Sequence, residues 1–331
     1  MRNFFFPIAI LSTLVVFSSC NKEQKNIKLT MAEPNPEGSI SAKVDHEFIK
    51  KVEELSNGSI TIELHASGIL GDNTAVLKAM TQPGSRGINI ARLSPAAIAN
   101  YGCTMHGLLG VPYTFKNHAH FWKFASSPVA EVILDEPYKA GIGVKGLFFM
   151  EEGFRHFFST KPLNDIEDFE GEKIRTAGNS VMEGISLGMK GQSVNVAFTA
   201  LYSALQTGKV SIAEQPLVNY LANDFHKVAP YMILDGHELG AAEVVIASET
   251  WDSLSKEQKE ILVKAGKYAG EYCMNAVQEK EKEAKEILTA EGAKFTEVKD
   301  ISKWQKACAD VISETVRSNT AIYGEIINLA D

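Results

Sequence analysis

Beyond residue 26, the hydrophobic positions of the chain alternate between two spacings. In residues 59–64 every second side chain is apolar, which is typical of a strand with one buried face. In residues 39–55, Val44, Phe48 and Val52 recur at the spacing of one helix face. Strand-like and helix-like segments continue to alternate along the chain. The pattern therefore predicts an α/β fold in which mixed sheets are flanked by helices.

The remaining segments with regular spacing follow in the same alternation. Strands are predicted at residues 27–31, 59–64, 88–91, 144–150, 173–176, 193–196, 210–213, 232–234 and 243–247. Helices are predicted at residues 39–55, 72–80, 180–189 and 199–206. Because helices separate many of these strands, parallel pairing through βαβ units is expected in part of the sheet.

The longest predicted element is a helix that begins at Ser255 and ends near Glu291. Ser255 and Gln258 have the spacing of a capping box, and Gly292 supplies a stop signal. A helix of this length measures about 50 Å, which exceeds the width of one small domain. We therefore predict that it crosses two lobes. A short coiled-coil stalk is the alternative, although heptads do not persist along the segment.

The first residues have the features of an export signal. A positive start at Arg2 is followed by an apolar run over residues 4–17, which is too short to span a bilayer. The run ends in Ser18, Ser19 and Cys20, which resemble the lipobox of bacterial lipoproteins. This predicts a signal peptide over residues 1–19, lipid on Cys20, a tether over residues 20–26 and a place on the periplasmic side of a bacterial membrane. An ordinary signal peptide with an incidental cysteine is the alternative.

Charge and cysteine content narrow the class of protein. The 331 residues have a formal net charge of −8, which becomes −9 once Arg2 is removed with the signal peptide. An acidic chain is a poor ligand for nucleic acid, and a monomer without a nucleic-acid partner is expected. Cys103, Cys273 and Cys308 have no CxxC spacing. Buried free thiols are favoured over one long-range disulfide, which stays open.

Motifs of nucleotide binding and of catalysis are absent from the sequence. It contains no glycine-rich phosphate loop, no GxSxG segment and no HExxH segment. His118 and His120 are two positions apart, so on a helix they would point to different faces. Satisfied surface or core imidazoles are favoured over a shared metal ion, which stays the alternative. No catalytic residue, no cofactor and no metal site are predicted.

Residues 151–240 resemble the solute-binding subunits of tripartite ATP-independent periplasmic (TRAP) transporters, of the dicarboxylate and sialic-acid type. Residues 167–175 (EDFEGEKIR) are similar to the family's D-L-K-G-x-K-I-R element. Residues 197–210 (AFTALYSALQTGKV) are similar to its F-x-x-x-Y-x-A-L-Q-T-G-x-V segment. Glu214, Gln215 and Pro216 stand where the family has Glu-Asn-Pro. The similarity extends from about residue 27 to the end of the long helix.

The resemblance implies a two-lobe clamp with a ligand cleft between the lobes. It implies that Arg175 makes a paired contact with a ligand carboxylate, for which a guanidinium is well shaped. Arg155 matches a second cationic contact, and Phe198 matches an aromatic residue of the cleft. Gln215 replaces the family's Asn and reaches one methylene farther, and Glu214 precedes it. Residues 27–152 with 241–280 are assigned to lobe I, and residues 153–240 with 281–331 to lobe II.

Four residues of the first lobe are further candidates for ligand binding. Arg92 stands where some sialic-acid-binding relatives have an acid, so a different ligand preference is expected. Glu33, Asp72 and Asn73 lie in loops after strand-like segments, and such loops line the clefts of α/β proteins. Solvated loop side chains are the alternative for each of these three residues.

Together these observations predict a TRAP-type solute-binding lipoprotein that is not an enzyme. Its ligand would be a small organic acid, such as a sugar acid, which it would deliver to the TRAP membrane subunits. A binding protein that reports to a sensor is one alternative. An extracytoplasmic enzyme on the same fold is a second, with Glu214 beside Arg175 as the only hint of an acid–base pair. A structural lipoprotein is a third.

Overall fold

The computed structural model describes residues 26–82 and 87–330, together with Met1. The predicted signal peptide after Met1, the predicted lipid anchor Cys20 and the tether up to residue 25 lie outside the described residues. None of the helices in the described ranges is both long enough and apolar enough to cross a membrane.

The strands of the described ranges form one mixed sheet. They are β1 (Ile27–Ala32), β2 (Ile60–His65), β3 (Ile90–Leu93), β4 (Val144–Ser159), β5 (Lys173–Arg175), β6 (Gln192–Val194), β7 (Ile212–Pro216), β8 (Tyr231–Ala247) and β9 (Lys294–Glu297). Their order is β2-β1-β3-β8-β4-β7-β5-β6, and β9 pairs with β8. The outer strands pair in parallel, whereas β3, β4, β7 and β8 meet in antiparallel pairs. The predicted α/β class with mixed pairing is confirmed.

Strands β4 and β8 are much longer than the sequence predicted. The pattern indicated a strand only at residues 144–150, and it split β8 into residues 232–234 and 243–247. The missing parts contain Glu151, Glu152, Asp235 and His237, whose polar side chains interrupt the apolar pattern. These side chains are nonetheless buried in the structure, because the two strands pass through the centre of the protein. The prediction was wrong here because polarity was equated with exposure.

The long strand pair joins two ends of the sheet, and its pairing is irregular in the middle. The register shifts between Glu151 and Phe154, where Gly153 has a φ of +91°. A side chain at Gly153 would also collide with the carboxylate of Glu281. A Cβ atom at Gly240 would lie 3.0 Å from the carbonyl oxygen of Gly153. The predicted lobe boundaries, after residues 152 and 240, fall in this irregular part of the β4–β8 pair.

Helices cover both faces of the sheet. Within the described ranges they are α1 (Ile40–Leu55), α2 (Asn73–Thr81), α3 (Pro95–Ala99), α4 (Thr104–Gly107), α5 (His118–Ala125), α6 (Pro128–Lys139), α7 (Ser180–Gly188), α8 (Leu201–Gln206), α9 (Leu217–Ala222), α10 (Ser248–Ser253), α11 (Lys256–Ala290), α12 (Ile301–Ala307), α13 (Ala309–Val316) and α14 (Thr320–Asn328). Short 3-10 turns connect several of them.

Helix α11 is the predicted long helix. Its capping box is present, since the Gln258 amide donates to Ser255 Oγ at 3.2 Å and the Ser255 amide donates to Gln258 Oε1 at 2.9 Å. Along its length α11 contacts α1, β4 and α9, which belong to both ends of the sheet. The prediction of one helix that crosses both lobes is confirmed.

The chain after α11 contacts both ends of the sheet, although the sequence assigned it to lobe II alone. Helix α13 packs against α7, whereas α14 contacts α6. In addition, His120 Nε2 lies 2.8 Å from the carbonyl oxygen of Ile326 in α14. The C-terminal helices therefore connect the two ends of the sheet by packing against elements of both.

The described cysteines lie in the hydrophobic interior and form no disulfide. Cys103, Cys273 and Cys308 are buried free thiols, which answers the question that the sequence left open. Cys273 Sγ lies 3.2 Å from the carbonyl oxygen of Glu151, so this thiol links α11 to the middle of β4.

Candidate ligand-binding site

A polar cleft lies at the carboxyl ends of β1, β3, β5 and β7. Its walls are formed by the segments that follow these strands and by the central parts of β4 and β8. Such strand ends are the usual position of ligand clefts in α/β proteins. Eight of the nine predicted ligand-binding residues line this cleft: Asp72, Asn73, Arg92, Arg155, Arg175, Phe198, Glu214 and Gln215. The cleft thus brings together residues from both predicted lobes.

Arg175 ends β5 and carries a positive charge that the protein compensates poorly. The residue is only 5% exposed, and its Nε donates to the carbonyl oxygen of Val196 at 3.0 Å. The nearest carboxylate oxygen, Glu214 Oε1, is 4.0 Å from Nη1. Burial, assisted by the positive charge of Arg155, lowers the pKa of Arg175 to about 10 against the raising effect of Glu214. An anion placed beside this guanidinium would be strongly stabilised.

Arg155 is already neutralised by a carboxylate. It lies in β4 beside β7, and its Nη2 donates to Glu214 Oε1 at 2.9 Å while its Nε donates to Oε2. Burial is the largest single effect and raises the pKa of Glu214, but the charge and hydrogen bonds of Arg155, together with the charges of His237 and Arg175, lower the pKa overall. Glu214 therefore stays ionised and is paired with Arg155 more closely than with Arg175.

Arg92 forms the opposite wall and is also neutralised. Its Nε donates to Glu33 Oε2 at 3.0 Å, and its Nη2 donates to Glu33 Oε1 at 2.5 Å. Glu33 is 1% exposed and is not among the residues that line the cleft. Its carboxylate lies behind Arg92, in contrast to the direct ligand contact that the sequence predicted. The loop position was correct, but the side chain turns inward because a buried arginine needs a counter-charge.

Two further acids complete the environment of Arg92. Glu152 Oε1 lies 3.8 Å from Arg92 Nη1 and accepts hydrogen bonds from Asn35 Nδ2 at 2.8 Å and from Ser41 Oγ at 2.5 Å. Asp45 in α1 is fully buried; this burial, and next the charge of Glu33, raise its pKa well above the usual range. Neither acid was predicted from the sequence. Asp45 had a signal, because it lies on the apolar face of its helix, close to Val44 and Phe48.

The other predicted residues have defined positions in the walls. Asp72 caps α2 by accepting the Ala75 amide at 2.9 Å, and Asn73 Oδ1 accepts the Ser94 amide at 3.0 Å. Phe198 packs edge-on against Phe225, with 6.1 Å between the ring centroids. Gln215 is buried in β7. Asp72 and Asn73 therefore shape the loop as well as the cleft.

Several polar residues of the cleft were not found from the sequence. Asn219 in α9 and Thr176 after β5 are each 1% exposed. Asn219 Oδ1 and Thr176 Oγ1 have no hydrogen-bond partner within the described ranges, although buried polar atoms are nearly always paired. A ligand with hydroxyl groups would satisfy them. Glu238 in β8 also lines the cleft.

Contacts between the two predicted lobes bridge the cleft at its mouth. Asn100 Nδ2, after α3, donates to the carbonyl oxygen of Gly178 at 3.1 Å. A Cβ atom at Gly68 would lie 3.2 Å from Thr199 Cγ2, so these two loops also touch. These contacts join segments of the two predicted lobes beside the cleft.

The histidines singled out by the sequence are held by hydrogen bonds. His118 lies between Glu151, 2.6 Å from Nδ1, and Glu281, 3.1 Å from Nε2. Burial lowers the pKa of His118, but these two carboxylates raise it overall to about 10. His120 is bonded to Ile326 as described above, so the two histidines do not face a common point.

A separate group of possible metal ligands consists of Cys103, His106 and Glu136, whose ligand atoms lie within 4.8 Å of one another. His106 Nδ1 is 2.8 Å from Glu136, and its Nε2 is 2.8 Å from Glu243. The two carboxylates overcome burial and raise the pKa of His106 to about 9. Glu136 also accepts the Met105 amide at 3.1 Å. Both ring nitrogens of His106 therefore have hydrogen-bond partners, as in a charged histidine between two carboxylates.

Residues 31–319 match the protein family described as bacterial extracellular solute-binding protein, family 7. The chain belongs to this family. The predicted resemblance to TRAP solute-binding proteins is confirmed, and the matched family consists of proteins that bind solutes.

Characterised relatives cover most of the chain at low identity. The sialic acid-binding periplasmic protein SiaP of Vibrio cholerae is 27% identical over 265 residues, 80% of each chain. The C4-dicarboxylate-binding periplasmic protein DctP of Rhodobacter capsulatus is 23% identical over 293 residues, 88% of this chain and 84% of the relative.

Solved structures of TRAP solute-binding proteins share the fold. A protein from Pseudomonas putida F1 with bound D-glucuronate superposes with a TM-score of 0.86 at 26% identity, covering 91% of this family 7 chain and 96% of that protein. The sugar acid-binding protein DctPAm of Advenella mimigardefordensis with galactonate gives 0.86 at 22% identity, covering 92% and 98%.

Proposed function

We propose that this solute-binding protein captures a sugar acid with one carboxylate, a uronate or an aldonate, and delivers it to a TRAP-type transporter. The observation that carries the proposal is the buried guanidinium of Arg175, whose charge faces the cleft without a close counter-ion. A ligand carboxylate would accept two parallel hydrogen bonds from it and would supply the missing negative charge.

The charges around the cleft favour one carboxylate over two. Arg155 is neutralised by Glu214, and Arg92 is neutralised by Glu33. Arg175 is left as the guanidinium without such a partner among the three that line the cleft. A second carboxylate on the ligand would have to compete with Glu33 or Glu214 for an arginine. This competition disfavours a dicarboxylate.

The rest of the cleft suits a ligand with several hydroxyl groups. Asn219 Oδ1 and Thr176 Oγ1 are buried acceptors without a partner in the described part of the chain, and Gln215 adds an amide that donates and accepts. Bound ligands of solved relatives, D-glucuronate and galactonate, combine one carboxylate with several hydroxyls. These two features match the two kinds of unsatisfied group in this cleft.

The proposal is tested by a binding screen. Thermal shift and calorimetry would compare D-glucuronate, D-galacturonate, D-galactonate and D-erythronate with succinate and glucose. We expect at least one sugar acid to bind, glucose to fail because it leaves Arg175 without an anion, and succinate to bind more weakly. Mass spectrometry of the recovered ligand checks that it leaves unchanged, as expected of a protein that is not an enzyme. Tightest binding of glucose would contradict the proposal.

We also propose that the cleft opens by rotation of lobe I, residues 27–152 with 241–280, against lobe II, residues 153–240 with 281–331. The irregular pairing at Gly153 and the close approach of Gly240 support a hinge where β4 and β8 cross. Helix α14, which contacts α6, would have to slide or move with lobe I. The capturing unit in this proposal is a monomer.

For its location, we propose that the mature chain is anchored to the periplasmic side of a membrane by lipid on Cys20. The support is the apolar run that ends in Ser18, Ser19 and Cys20. Cys20→Ser should abolish lipid attachment, because the thiol is the acceptor of the lipid. In detergent phase separation the variant should move to the aqueous phase or stay as an unprocessed precursor, whereas Cys103→Ser should behave as the unmodified chain. Unchanged partitioning of Cys20→Ser would refute the anchor.

A further inference from the structure

Glu238 differs from the other carboxylates around the cleft in having no protein partner. It lies in β8 opposite Arg155 of β4 and lines the cleft. Glu33, Glu152 and Glu214 each accept hydrogen bonds or pair with an arginine. Within residues 26–82 and 87–330, the side-chain carboxylate of Glu238 takes part in no hydrogen bond and in no ion pair within 4.0 Å. Its oxygens are therefore available to a molecule in the cleft.

The charged groups around Glu238 disfavour its ionised form. Burial is the largest effect and raises the pKa of Glu238 to about 7. The positive charges of Arg155 and of His237 oppose this increase, while the negative charges of Glu214 and Glu152 add to it. Arg155 is weakened as a counter-charge because it is already bound by both oxygens of Glu214.

A bound carboxylate ligand would disfavour the ionised form of Glu238 further. Its negative charge at Arg175 would lie in the same cleft, where water is displaced and charges are poorly screened. An ionised Glu238 would then be left beside an added anion without a cation of its own. A protonated Glu238 would avoid this repulsion and would offer an O–H donor to the ligand.

We propose that Glu238 is a ligand-binding residue that acts as a neutral carboxylic acid, donating a hydrogen bond to an oxygen of the bound sugar acid. Capture of the ligand anion then takes up one proton from water at Glu238 whenever that residue was ionised beforehand. This inference rests on the proposed function, because it requires an anionic ligand in this cleft.

The direction of the pH dependence follows from linkage. A group whose pKa is higher in the complex than in the free protein favours the complex at low pH and opposes it at high pH. Affinity should therefore be nearly constant below about pH 6. It should weaken above about pH 7, approaching tenfold per pH unit, because the ligand carboxylate stays ionised throughout.

The test is calorimetry of the full chain with D-glucuronate and with D-galactonate from about pH 6 to about pH 8.5. Titrations in phosphate and in Tris, whose ionisation enthalpies differ, count the protons taken up. The unmodified protein should take up a proton in the upper part of this range. Glu238→Gln, which keeps a hydrogen-bond donor but cannot ionise, should show no such uptake and an affinity that depends little on pH. Glu131→Gln changes an exposed carboxylate that does not line the cleft and should behave as the unmodified protein.

Each outcome separates this inference from the proposed function. If a sugar acid binds without proton uptake, or if Glu238→Gln takes up the same number of protons, the assignment to Glu238 is wrong and the proposed function stands. His156 and His237 would be the alternative proton acceptors in the second case. If neither acid binds at any pH, the proposed function fails and this inference fails with it. Circular dichroism of each variant confirms folding.

Discussion

Replacement of Arg175 by alanine is expected to weaken sugar-acid binding by about 2–5 kcal/mol, the usual cost of removing one partner of a buried charge pair. The carboxylate loses water on entering the cleft, and no other guanidinium among the described cleft residues is free to replace that water. Arg175→Lys should also bind poorly, because an ammonium keeps the charge without the two parallel donors. Arg155→Ala should change sugar-acid binding partly because Glu214 loses its ion-pair partner.

The same substitution should leave the fold intact. Arg175 donates one hydrogen bond to Val196, and its charge is opposed by burial and by Arg155, so the folded protein without ligand gains little from it. Calorimetry measures binding of the acid identified in the screen, and urea unfolding without ligand measures stability. Unchanged affinity of a folded Arg175→Ala would show that Arg175 does not hold the carboxylate.

Replacement of Arg92 by methionine should instead destabilise the fold by about 3–5 kcal/mol, the range observed when one member of a buried ion pair is removed. Arg92 is the cation that both Glu33 and Glu152 face. Without it, the carboxyl groups of Glu33, Glu152 and Asp45 would remain buried in one place without a cation. They would have to protonate or draw water into the interior.

Arg175→Met is the matched control for Arg92→Met. Both substitutions exchange a buried arginine for a residue of similar size, but only Arg92 has a bidentate carboxylate partner. Urea unfolding at pH 7 should show a large loss of the free energy of unfolding for Arg92→Met and a small change for Arg175→Met. Equal losses would mean that the volume of the side chain matters and its charge does not.

The pH dependence of Arg92→Met gives an independent check. Buried carboxyl groups without a neighbouring cation favour their protonated form, and the pKa of Asp45, which the charge of Arg92 lowers, would rise further in the variant. Such groups bind protons on folding, so the stability that the variant has lost at pH 7 should be partly regained as the pH falls toward 5. A deficit that stays constant over this range would argue against ionised carboxylates as its cause.

The two arginine networks of the cleft differ in how completely their charges are balanced within the protein. Arg92, Glu33 and Glu152 form a wall whose charges are balanced within the protein. Arg175 belongs to a wall whose balance is incomplete. Since buried charges need a counter-charge, a bound anion would complete the second wall and would change little at the first.

The local sequence determined much about this protein. The capping box of Ser255 and Gln258 fixed the start of the long helix, because capping depends on residues three positions apart. The spacing of apolar residues placed β1, β2 and the first part of β4 within a few residues. The segments at 167–175, 197–210 and 214–216 indicated the family, and they pointed to Arg175, Phe198 and Gln215, which line the cleft.

What the sequence did not determine depends on neighbours that are distant along the chain. Whether a polar side chain is exposed or buried is set by what packs over it, so the central parts of β4 and β8 were not predicted as strands. The partner of an arginine is set by the fold, so only the tertiary structure gave Glu33 to Arg92 and Glu214 to Arg155 across 59 positions of sequence each. Glu238 is distinctive because its carboxylate has no partner among the residues that the structure describes. A local pattern contains no information on such pairing, because charges from both ends of the sheet meet only after the chain has folded.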